Sequence, residues 1–492
     1  MAGMSAHTFL WHDYETFGAN PRIDRPAQFA AIRTDADLNE IGEPMEWYCL
    51  PTPDYVPDPK SCLITGITPQ TCVSKGGLPE PEFARRIEAA MAEAGTVGVG
   101  YNSLRFDDEF TRFMLWRNLR DPYAREWQNQ CGRWDLLEVV RLVFALRPEG
   151  TVWPKKPDGT HSLKLEDLAR ANGIGHESAH DALSDVRATI GLARHIKQVQ
   201  PKLFDYALGL RNKAQVTQAL RWPITPSQAQ AFIYVAAGFG VAQGYMGVVW
   251  PLAVHPTNKN EVIVWDLRHD PRQLLDMDTA TLKRRWFGKK TELQDGETRL
   301  PLHTLAINKS PMVVHSLKVL SAAQAQRWQI DMDRVHDHAQ IAQALPDLSG
   351  VFAQVLLRPV SPSADVEQDL YGGFVADADR RTLVQLLEQP PTSAMWQNAT
   401  FRDDRLNDLV FRFRARHFPD SLNAAEQSAW QRHCSARLLH GQGGVRTAQQ
   451  LFDELDELMQ AAENEGDEKR MAVLDALYDY GQAIAPDWSE EA

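Results

Sequence analysis

The feature that most constrains this chain is a pair of carboxylates inside an apolar run near its start. The segment FLWHDYETFG, residues 9–18, has the pattern of a buried strand, yet it carries Asp13 and Glu15. Side chains two residues apart on a strand point to the same face, so the two carboxylates would lie side by side. Each would destabilise the charge of the other, which indicates that a cation is missing from the sequence. Oxygen-only ligands favour magnesium or manganese as that cation.

Length and composition indicate a multidomain globular protein. A chain of 492 residues exceeds the size at which one core keeps growing, and about two to four domains are expected. No run approaches the roughly 20 apolar residues that a membrane helix needs, and the first residues lack the pattern of a secretory signal. We therefore expect a soluble, cytoplasmic protein without a membrane partner. The five cysteines are scattered without a CxxC pair, which argues against a disulfide framework and a cysteine zinc site.

The net charge of -13 argues by itself against a nucleic-acid partner. The acidic excess is local, however, and is concentrated near the C-terminus in LFDELDELMQAAENEGDEKR. The segments RNLRDPYAREW and LRPEGTVWPKKP instead interleave bases with aromatic residues. That composition is typical of sites for single-stranded nucleic acid.

The order of elements predicts an α/β fold. Three consecutive strands of a meander are expected in TFLWHDYETF, AQFAAIRTD and NEIGEPMEWYCL, followed by a helix in PEFARRIEAAMAEAG and a strand in TVGVGYN. Helices then follow in FDDEFTRFMLWRNL and DALSDVRATIGLARHIKQV, which together predict a layer with a mixed sheet. The predicted domains are 1–200, then 201–358 around a small barrel-like sheet, and a helical domain over 359–492.

The carboxylate pair needs further ligands, and two segments offer them. In YNSLRFDDEF, Asp107 lies at the junction of a predicted strand and helix, where it could reach over the end of the sheet or simply cap the helix with Asp108. In HESAHDALSD, a histidine precedes an aspartate by five residues in two overlapping registers, which are His176 with Asp181 and His180 with Asp185. A loop histidine before an ordinary helix would give the same pattern. The DxE triplet also recurs at 107–109 and at 365–367, so no single motif is decisive.

Taken together, these segments resemble the DEDDh superfamily of 3'-to-5' exonucleases. The order DxE, D and D, with a histidine five residues before the last aspartate, falls at Asp13, Glu15, Asp107, His180 and Asp185. The chain is also similar to the bacterial exonuclease I family in HDYETFG, DRPAQFAAIRTD, LITGITPQ, GYNSLRFDDE, RWDLLEV, ALRPEG, ANGI and AHDALSD. The similarity continues through LFDY, RNK, PLAVHPTNKN, INKSP, LYGGF and RARHFP, and so covers almost the whole chain.

The resemblance implies an architecture and a chemistry. It implies a ribonuclease H-like exonuclease domain, an SH3-like middle domain and an all-helical C-terminal domain, and it selects the register His180 with Asp185. The implied activity is Mg²⁺-dependent hydrolysis of single-stranded DNA from the 3' end to 5'-mononucleotides, by two metal ions. We hypothesise that Asp13 bridges both ions, that Glu15 and Asp185 complete the first site, and that Asp107 holds the second. His180 would be the general base.

The resemblance also implies substrate-binding residues. Besides Glu15, these are Arg112, Tyr123, Trp127, Arg141, Asn260 and Lys164. Arginine suits phosphates, and tyrosine and tryptophan suit base stacking, although Trp127 could belong to a core and Arg141 could be a plain surface charge. Some positions depart from the family pattern along the expected DNA track: Lys164 replaces an arginine, His303 a lysine, Ala306 a histidine and Asp369 a glutamine.

A protein partner is implied as well, namely the acidic C-terminal tail of the single-stranded-DNA-binding protein. Its expected contacts are Arg147, Tyr206 and Lys318. We expect a monomer. Alternatives to the leading function are a 3' exoribonuclease, a catalytically inactive DNA-binding scaffold, and a proofreading subunit, although nearly 300 residues after Val199 are more than a proofreading subunit needs.

Overall fold

The structure is a computed structural model that describes residues 7–175, 181–222, 228–275, 277–357 and 365–485. These residues pack into two compact units. The first contains the described residues of Met1–Gly132, His176–Arg187 and Val360–Ala492. The second contains those of Arg133–Gly175 and Ala188–Pro359.

The sheet of the first unit is mixed, as predicted. It contains β1 (Thr8–Thr16), β2 (Pro26–Thr34), β3 (Met45–Tyr48) and β4 (Thr96–Gly100), in the spatial order β3, β2, β1, β4. Strands β1, β2 and β3 form the expected antiparallel meander, whereas β4 runs parallel to β1. A further strand, β5 (Gly132–Asp135), begins at the unit boundary.

Burial explains why this sheet forms. All nine residues of β2 are buried, and β1 is buried at seven of its nine positions, as expected for central strands covered on both faces. On one face Leu10, Tyr14 and Phe29 pack with Phe83 and Ile87 of a helix. Each such fully buried side chain contributes about 1.5–3 kcal/mol of hydrophobic stabilisation.

Helices of the N-terminal part follow the predicted order. They are α1 (Pro59–Thr65), α2 (Pro69–Ser74), α3 (Glu80–Ala92), α4 (Asp107–Arg117), α5 (Leu136–Leu146), α6 (Leu165–Ala171) and α7 (Ala182–Val199).

The middle part contains the small sheet that the sequence predicted. Its strands are β6 (Phe232–Val235), β7 (Met246–Val254), β8 (Glu261–Asp266), β9 (Leu302–Ala306) and β10 (Met312–Val314), which lie antiparallel in the order β10, β6, β7, β8, β9. Its helices are α8 (Pro201–Gly209), α9 (Lys213–Ala219), α10 (Thr279–Phe287), α11 (Ala322–Arg327), α12 (Met332–Gln343) and α13 (Ser349–Leu356).

The C-terminal part is helical, also as predicted. Its helices are α14 (Asp377–Leu387), α15 (Ala394–Asn398), α16 (Asp404–His417), α17 (Ala424–Leu438), α18 (Ala448–Glu465) and α19 (Glu468–Ile484). Within the described ranges, no helix combines the length and the apolar composition needed to cross a membrane.

Buried ion pairs join the C-terminal helices to the N-terminal segments of the first unit. Arg416 of α16 donates to Asp54 at 2.6 and 2.9 Å and to Glu367 at 2.5 Å. Glu367 also accepts from Arg25 at 2.8 Å. All four side chains are at most 6 % exposed. Because an unpaired buried charge is costly, each member of this cluster holds the others in place.

Candidate active site

Strand β1 presents the two carboxylates that opened the sequence analysis. Asp13 lies opposite Ala30 and Glu15 opposite Gln28 in the antiparallel pairing with β2. The register shifts between Glu15 and Thr16, where the strand ends. Glu15 is 8 % exposed and Asp13 is half-buried. Both carboxylates are therefore largely withdrawn from solvent.

Asp107 reaches this strand from the end of its parallel neighbour. Strand β4 ends at Gly100, where a Cβ atom would lie 2.7 Å from Ser103 Cβ and 2.9 Å from the carbonyl oxygen of His12. Glycine thus permits the chain to turn closely over β1 before α4 begins at Asp107. The backbone N–H of Tyr14 donates to Asp107 Oδ1 at 3.2 Å, between the two carboxylates along β1.

Asp185 completes a three-carboxylate cluster. It lies in the first turn of α7, where Asp181 Oδ2 accepts a hydrogen bond from the backbone N–H of Ser184 at 3.1 Å. One carboxylate oxygen from each of Asp13, Glu15 and Asp185 lies within 4.8 Å of the other two. The cluster thus combines a strand, a distant helix and, beside them, the strand-to-helix junction at Asp107.

The electrostatics of this cluster favour a cation. Burial, followed by the charges of Asp185, Asp107 and Asp181, raises the pKa of Glu15 to about 8. Burial and the charges of Asp107, Glu15 and Asp185 also raise the pKa of Asp13 well above its usual range. These shifts have the sign expected when like charges are confined together in a poorly solvated place. A divalent cation would remove that repulsion, and carboxylate oxygens are the ligands that magnesium and manganese prefer.

The histidines have different outcomes. His176 and His180, the two general-base candidates, lie outside the described residues, whereas Asp181 and Asp185 lie inside them. His12 is next to Asp13 in sequence but is 3 % exposed and stacks on Phe29. Burial lowers the pKa of His12 to about 4, so at neutral pH it is an uncharged core residue.

The other two DxE triplets are neutralised by arginines. Asp108 pairs with Arg125 at 2.7 Å, both side chains being buried. In the third triplet, Asp365 pairs with Arg412 at 2.7 Å and with Arg437 at 3.1 Å, and Glu367 belongs to the buried cluster described above. The three triplets thus differ in their neighbours: guanidinium groups around Asp108 and at 365–367, and further carboxylates around Asp13 and Glu15.

Three predicted substrate-binding residues lie in the first unit and are near one another. Trp127 is 66 % exposed, which rules out the alternative of a core residue. Arg112 is only 5 % exposed and donates to Glu126 at 2.7 and 3.0 Å and to Glu109 at 2.6 Å. Its guanidinium carbon lies 5.4 Å from the ring centre of Tyr123. In this arrangement Arg112 orients an aromatic ring, and its charge is already balanced by two carboxylates.

The remaining predicted substrate-binding residues lie in the second unit. Lys164 precedes α6, and its exposed Nζ lies 3.1 Å from Glu166 Oε1. Arg141 is 9 % exposed, pairs with Glu138 at 2.6 Å and lies over the ring of Tyr245, so it is not a plain surface charge. Asn260 Oδ1 accepts a hydrogen bond from Lys213 Nζ at 2.7 Å.

The departures from the family pattern have identifiable surroundings. His303, on β9, stacks on Phe239 with ring centres 4.2 Å apart, and burial lowers its pKa. Ala306 ends the same strand. Asp369, in the first unit, lies 3.8 Å from Arg405.

The residues expected to contact an acidic tail are brought together in the second unit. Arg147 Nη1 donates to the carbonyl oxygen of Val319 at 3.2 Å, immediately after the exposed Lys318. Tyr206 is 37 % exposed, and its hydroxyl donates to the carbonyl oxygen of Val313 at 2.6 Å.

Two aromatic residues of the first unit were missed by the sequence analysis. The hydroxyl of Tyr371 donates to Glu109 at 2.5 Å and accepts from Arg112 at 3.1 Å. Phe374 is 90 % exposed, and its ring centre lies 6.0 Å from that of Tyr123. The available signal was the pair of aromatic residues in LYGGF, where glycines make burial of a following phenylalanine less certain.

Comparisons with known proteins agree along the whole chain. Three family models match, described as Exonuclease over residues 10–193, Exonuclease I SH3-like domain over 211–358, and Exonuclease I C-terminal domain over 364–484. The chain is 42% identical over 487 residues to Exodeoxyribonuclease I of Escherichia coli K12, covering 98% of this chain and 99% of that protein.

Solved structures give the same result. The crystal structure of E. coli Exonuclease I in complex with a dA16 oligonucleotide matches with a TM-score of 0.89 and 42% identity, covering 97% of this chain and 100% of that one. The zinc-ion-bound form of an E. coli ExoI–ssDNA complex matches with a TM-score of 0.89 and 41% identity, covering 98% and 100%. The fold, the order of the three domains and the sequence similarity together place this chain in the exodeoxyribonuclease I family of DNA exonucleases.

Proposed function

We propose that this chain hydrolyses single-stranded DNA stepwise from the 3' end and releases 5'-mononucleotides, with two divalent cations bound at the carboxylate cluster. The observation that carries the proposal is the cluster itself, in which oxygens of Asp13, Glu15 and Asp185 lie within 4.8 Å of one another. Hydrolysis of a phosphodiester requires charge neutralisation at the phosphate and a hydroxide near neutral pH. A cluster of carboxylates without balancing arginines suits that task.

The residues present fit divalent cations. Asp13, Glu15 and Asp185 would hold one ion, and Asp13 with Asp107 would hold the second, directly or through water. Mg²⁺ is the proposed ion, with Mn²⁺ as an alternative, because all donors are oxygens. Bound divalent cations supply Lewis-acid stabilisation of phosphate charge and lower the pKa of water. The raised pKa values of Asp13 and Glu15 mean that ion binding competes with protons at this site.

The chain's own groups position the reaction. The N–H of Tyr14 holds Asp107 against β1, and the first turn of α7 holds Asp185 on the opposite side of the pair. His180 is the proposed general base, five residues before Asp185 in sequence. A His180→Ala protein should bind DNA as the parent does and turn over more slowly, and unchanged turnover would exclude His180 from the mechanism.

The choice of single-stranded DNA as substrate has two supports. The relatives named above include a complex with a dA16 oligonucleotide and a complex with ssDNA. In this chain, the exposed Trp127 and the adjacent Tyr123 offer rings on which bases stack regardless of sequence. Lys164, Arg141 and Asn260 are proposed as further DNA contacts.

Digestion of end-labelled oligonucleotides tests this function. Two matched single-stranded DNA strands, one labelled at each end, would be incubated with Mg²⁺ or EDTA, beside an RNA of the same sequence and the DNA duplex. We expect metal-dependent loss from the 3' end of the DNA, with RNA and duplex largely spared. Preferred degradation of RNA would favour an exoribonuclease, and binding without cleavage would favour an inactive scaffold.

An acidic tail of the single-stranded-DNA-binding protein is the proposed protein partner. Arg147 and Lys318 supply positive charge beside the half-exposed ring of Tyr206, a combination that suits an acidic peptide with an apolar end. Fluorescence anisotropy with a labelled peptide of that composition should show binding that weakens in Arg147→Ala. Equal binding by the variant would contradict the assignment.

The remaining aspects of the proposal concern the chain as a whole. We propose domain boundaries near residues 200 and 358, a monomer, a cytoplasmic location, and a role in DNA repair and recombination. The family models support three domains in this order. Sedimentation velocity would test the monomer directly.

A further inference from the structure

The first unit contains an aromatic groove at the far end of α4 from the carboxylate cluster. The groove has a volume of about 940 Å³ and is lined by the segment 119–128, by the loop 370–375 and by one side of α14. That volume lies at the upper end of the roughly 300–1,000 Å³ typical of ligand sites. Its floor is apolar and includes the buried side chains of Trp116, Leu119 and Leu383.

Exposed rings form the mouth of the groove. Phe374 is 90 % exposed and Trp127 is 66 % exposed. Tyr123 lies beside Phe374, with ring centres 6.0 Å apart and planes inclined by 60°. Single exposed apolar residues are common, but a contiguous apolar surface next to a cavity marks a binding site.

The rings are held in place by buried polar contacts. Arg112 lies under Tyr123 and is itself held by Glu109 and Glu126. The backbone N–H of Tyr123 donates to Asp121 Oδ1 at 2.8 Å, which fixes the turn that carries the ring. A surface that is fixed before binding loses less conformational entropy when a ligand stacks on it.

The charges along the groove largely cancel. Arg120 pairs with Glu88 at 2.5 Å, and Arg380 lies 3.5 Å from Asp121 and 2.5 Å from Asp377. A neutral lining with exposed ring faces suits uncharged, flat groups better than phosphates. Nucleobases are such groups, and their phosphates can remain toward solvent near the exposed Arg381 on the wall of the groove.

Position along α4 separates this groove from the reacting end of the substrate. Asp107 begins α4, and Leu119 lies just beyond its end. At 1.5 Å per helical residue, the floor of the groove is roughly 18 Å from Asp107. Bases held here would therefore belong to nucleotides several positions before the 3' terminus.

We propose that this aromatic groove is an additional base-binding site, in which Phe374 stacks with a nucleobase of the single-stranded substrate upstream of the bond that is cleaved. The proposal rests on the proposed function, since it assigns a further contact to the same substrate. It is continuous with Tyr123 and Trp127, which are already proposed as DNA contacts. It gives the enzyme a hold on the strand that is independent of the metal site.

Binding in EDTA, without cleavage, tests the groove separately from catalysis. The affinity of the full chain for a long single-stranded oligonucleotide would be measured by fluorescence anisotropy for the parent, Phe374→Ala, and the control Phe287→Ala. Phe287 is also an exposed phenylalanine, at 42 % exposure, but lies on α10 in the second unit. Loss of one base stack should weaken binding about tenfold in Phe374→Ala, and Phe287→Ala should bind as the parent does.

A scan with abasic nucleotides makes the test specific. One abasic nucleotide is placed at successive positions from the 3' end, and the loss of affinity is measured for the parent and for Phe374→Ala. We expect a position several nucleotides upstream where the abasic nucleotide weakens the parent but causes no further loss in Phe374→Ala, as for two changes that remove one interaction. Additive losses at every position would overturn the proposal.

The outcomes distinguish the groove from the function on which it rests. If the parent does not bind single-stranded DNA, the proposed function fails. If the parent binds DNA but Phe374→Ala binds equally well, the groove proposal alone fails, and an apolar peptide would then be the better occupant. Because Phe374 is almost fully exposed, its replacement leaves the core intact, which a thermal melt of the variant would confirm.

Discussion

Replacing Arg416 by methionine should destabilise the first unit strongly. Arg416 makes three hydrogen bonds of 2.5–2.9 Å to Asp54 and Glu367, which are 0 and 3 % exposed. Burial alone would raise the pKa of Asp54, but the guanidinium of Arg416 beside it holds that pKa well below the usual range. Methionine keeps most of the side-chain volume and removes the charge, so two buried carboxylates lose their principal partner.

The expected loss is about 3–5 kcal/mol in the free energy of unfolding, the range measured when one partner of a buried pair is removed. Urea unfolding followed by tryptophan fluorescence would measure it. The matched control is Arg470→Met, because Arg470 pairs at 2.6 Å with Glu465, whose side chain is 62 % exposed. An exposed pair contributes about 1 kcal/mol or less. A loss in Arg416→Met as small as in the control would refute the claim that these ion pairs hold the C-terminal helices to the N-terminal segments.

Three further predictions concern the site. Because Glu15 has a pKa raised to about 8, the metal-free folded state binds more protons than the unfolded chain, so its stability should fall as pH rises from about 4.5 to 8; binding of Mg²⁺ at pH 7 should release protons, which titration calorimetry in buffers of different ionisation enthalpy would detect. Gly100→Ala places a Cβ 2.7 Å from Ser103 Cβ and should cost about 1–3 kcal/mol and lower activity by displacing the approach to Asp107, whereas the control Gly350→Ala, with no atom within 4 Å of the added Cβ, should change neither; equal activities of the two variants would contradict the role of Gly100. Lys164→Arg should bind single-stranded DNA a few-fold more tightly in EDTA, because a guanidinium can donate two parallel hydrogen bonds to a phosphate; unchanged or weaker binding would place Lys164 away from the DNA.

Much of the fold could be predicted because the sequence is locally consistent. Strand β1 alternates few polar residues into an apolar run, β2 is apolar throughout, and the turn residues between them are Gly18, Asn20 and Pro21. The mixed sheet, the small antiparallel sheet in the middle part and the helical end are all confirmed. The family resemblance is confirmed as well, by relatives that match the chain over almost its full length.

The electrical surroundings of the carboxylates could not be predicted in the same way. The triplets at 13–15 and 365–367 have similar sequences, and both are largely buried. They differ because Arg412, Arg416 and Arg437, 45 to 72 residues later in the chain, surround the second triplet. Such long-range partners leave no local pattern. Only the resemblance distinguished the two triplets before the structure was available.

The binding surface was the least predictable part. Arg112 was expected to contact phosphate, and the structure shows its charge balanced by Glu126, fourteen residues later, and by Glu109. Phe374 was quoted within LYGGF without a role, because exposure of a phenylalanine depends on how the loop packs rather than on local sequence. The groove combines segments more than 240 residues apart, so tertiary structure was needed to recognise it.

The most direct test of the central claim measures metal binding and DNA hydrolysis together in Asp13→Asn. The control is Asp295→Asn, which changes an exposed carboxylate of the second unit by the same chemistry. We predict that Asp13→Asn binds Mg²⁺ more weakly and degrades single-stranded DNA from the 3' end at least about a hundredfold more slowly, as loss of about 3 kcal/mol of transition-state stabilisation implies, while Asp295→Asn matches the parent in both. Degradation by Asp13→Asn at the parent rate would contradict the account, since the carboxylate cluster would then not be the site of hydrolysis.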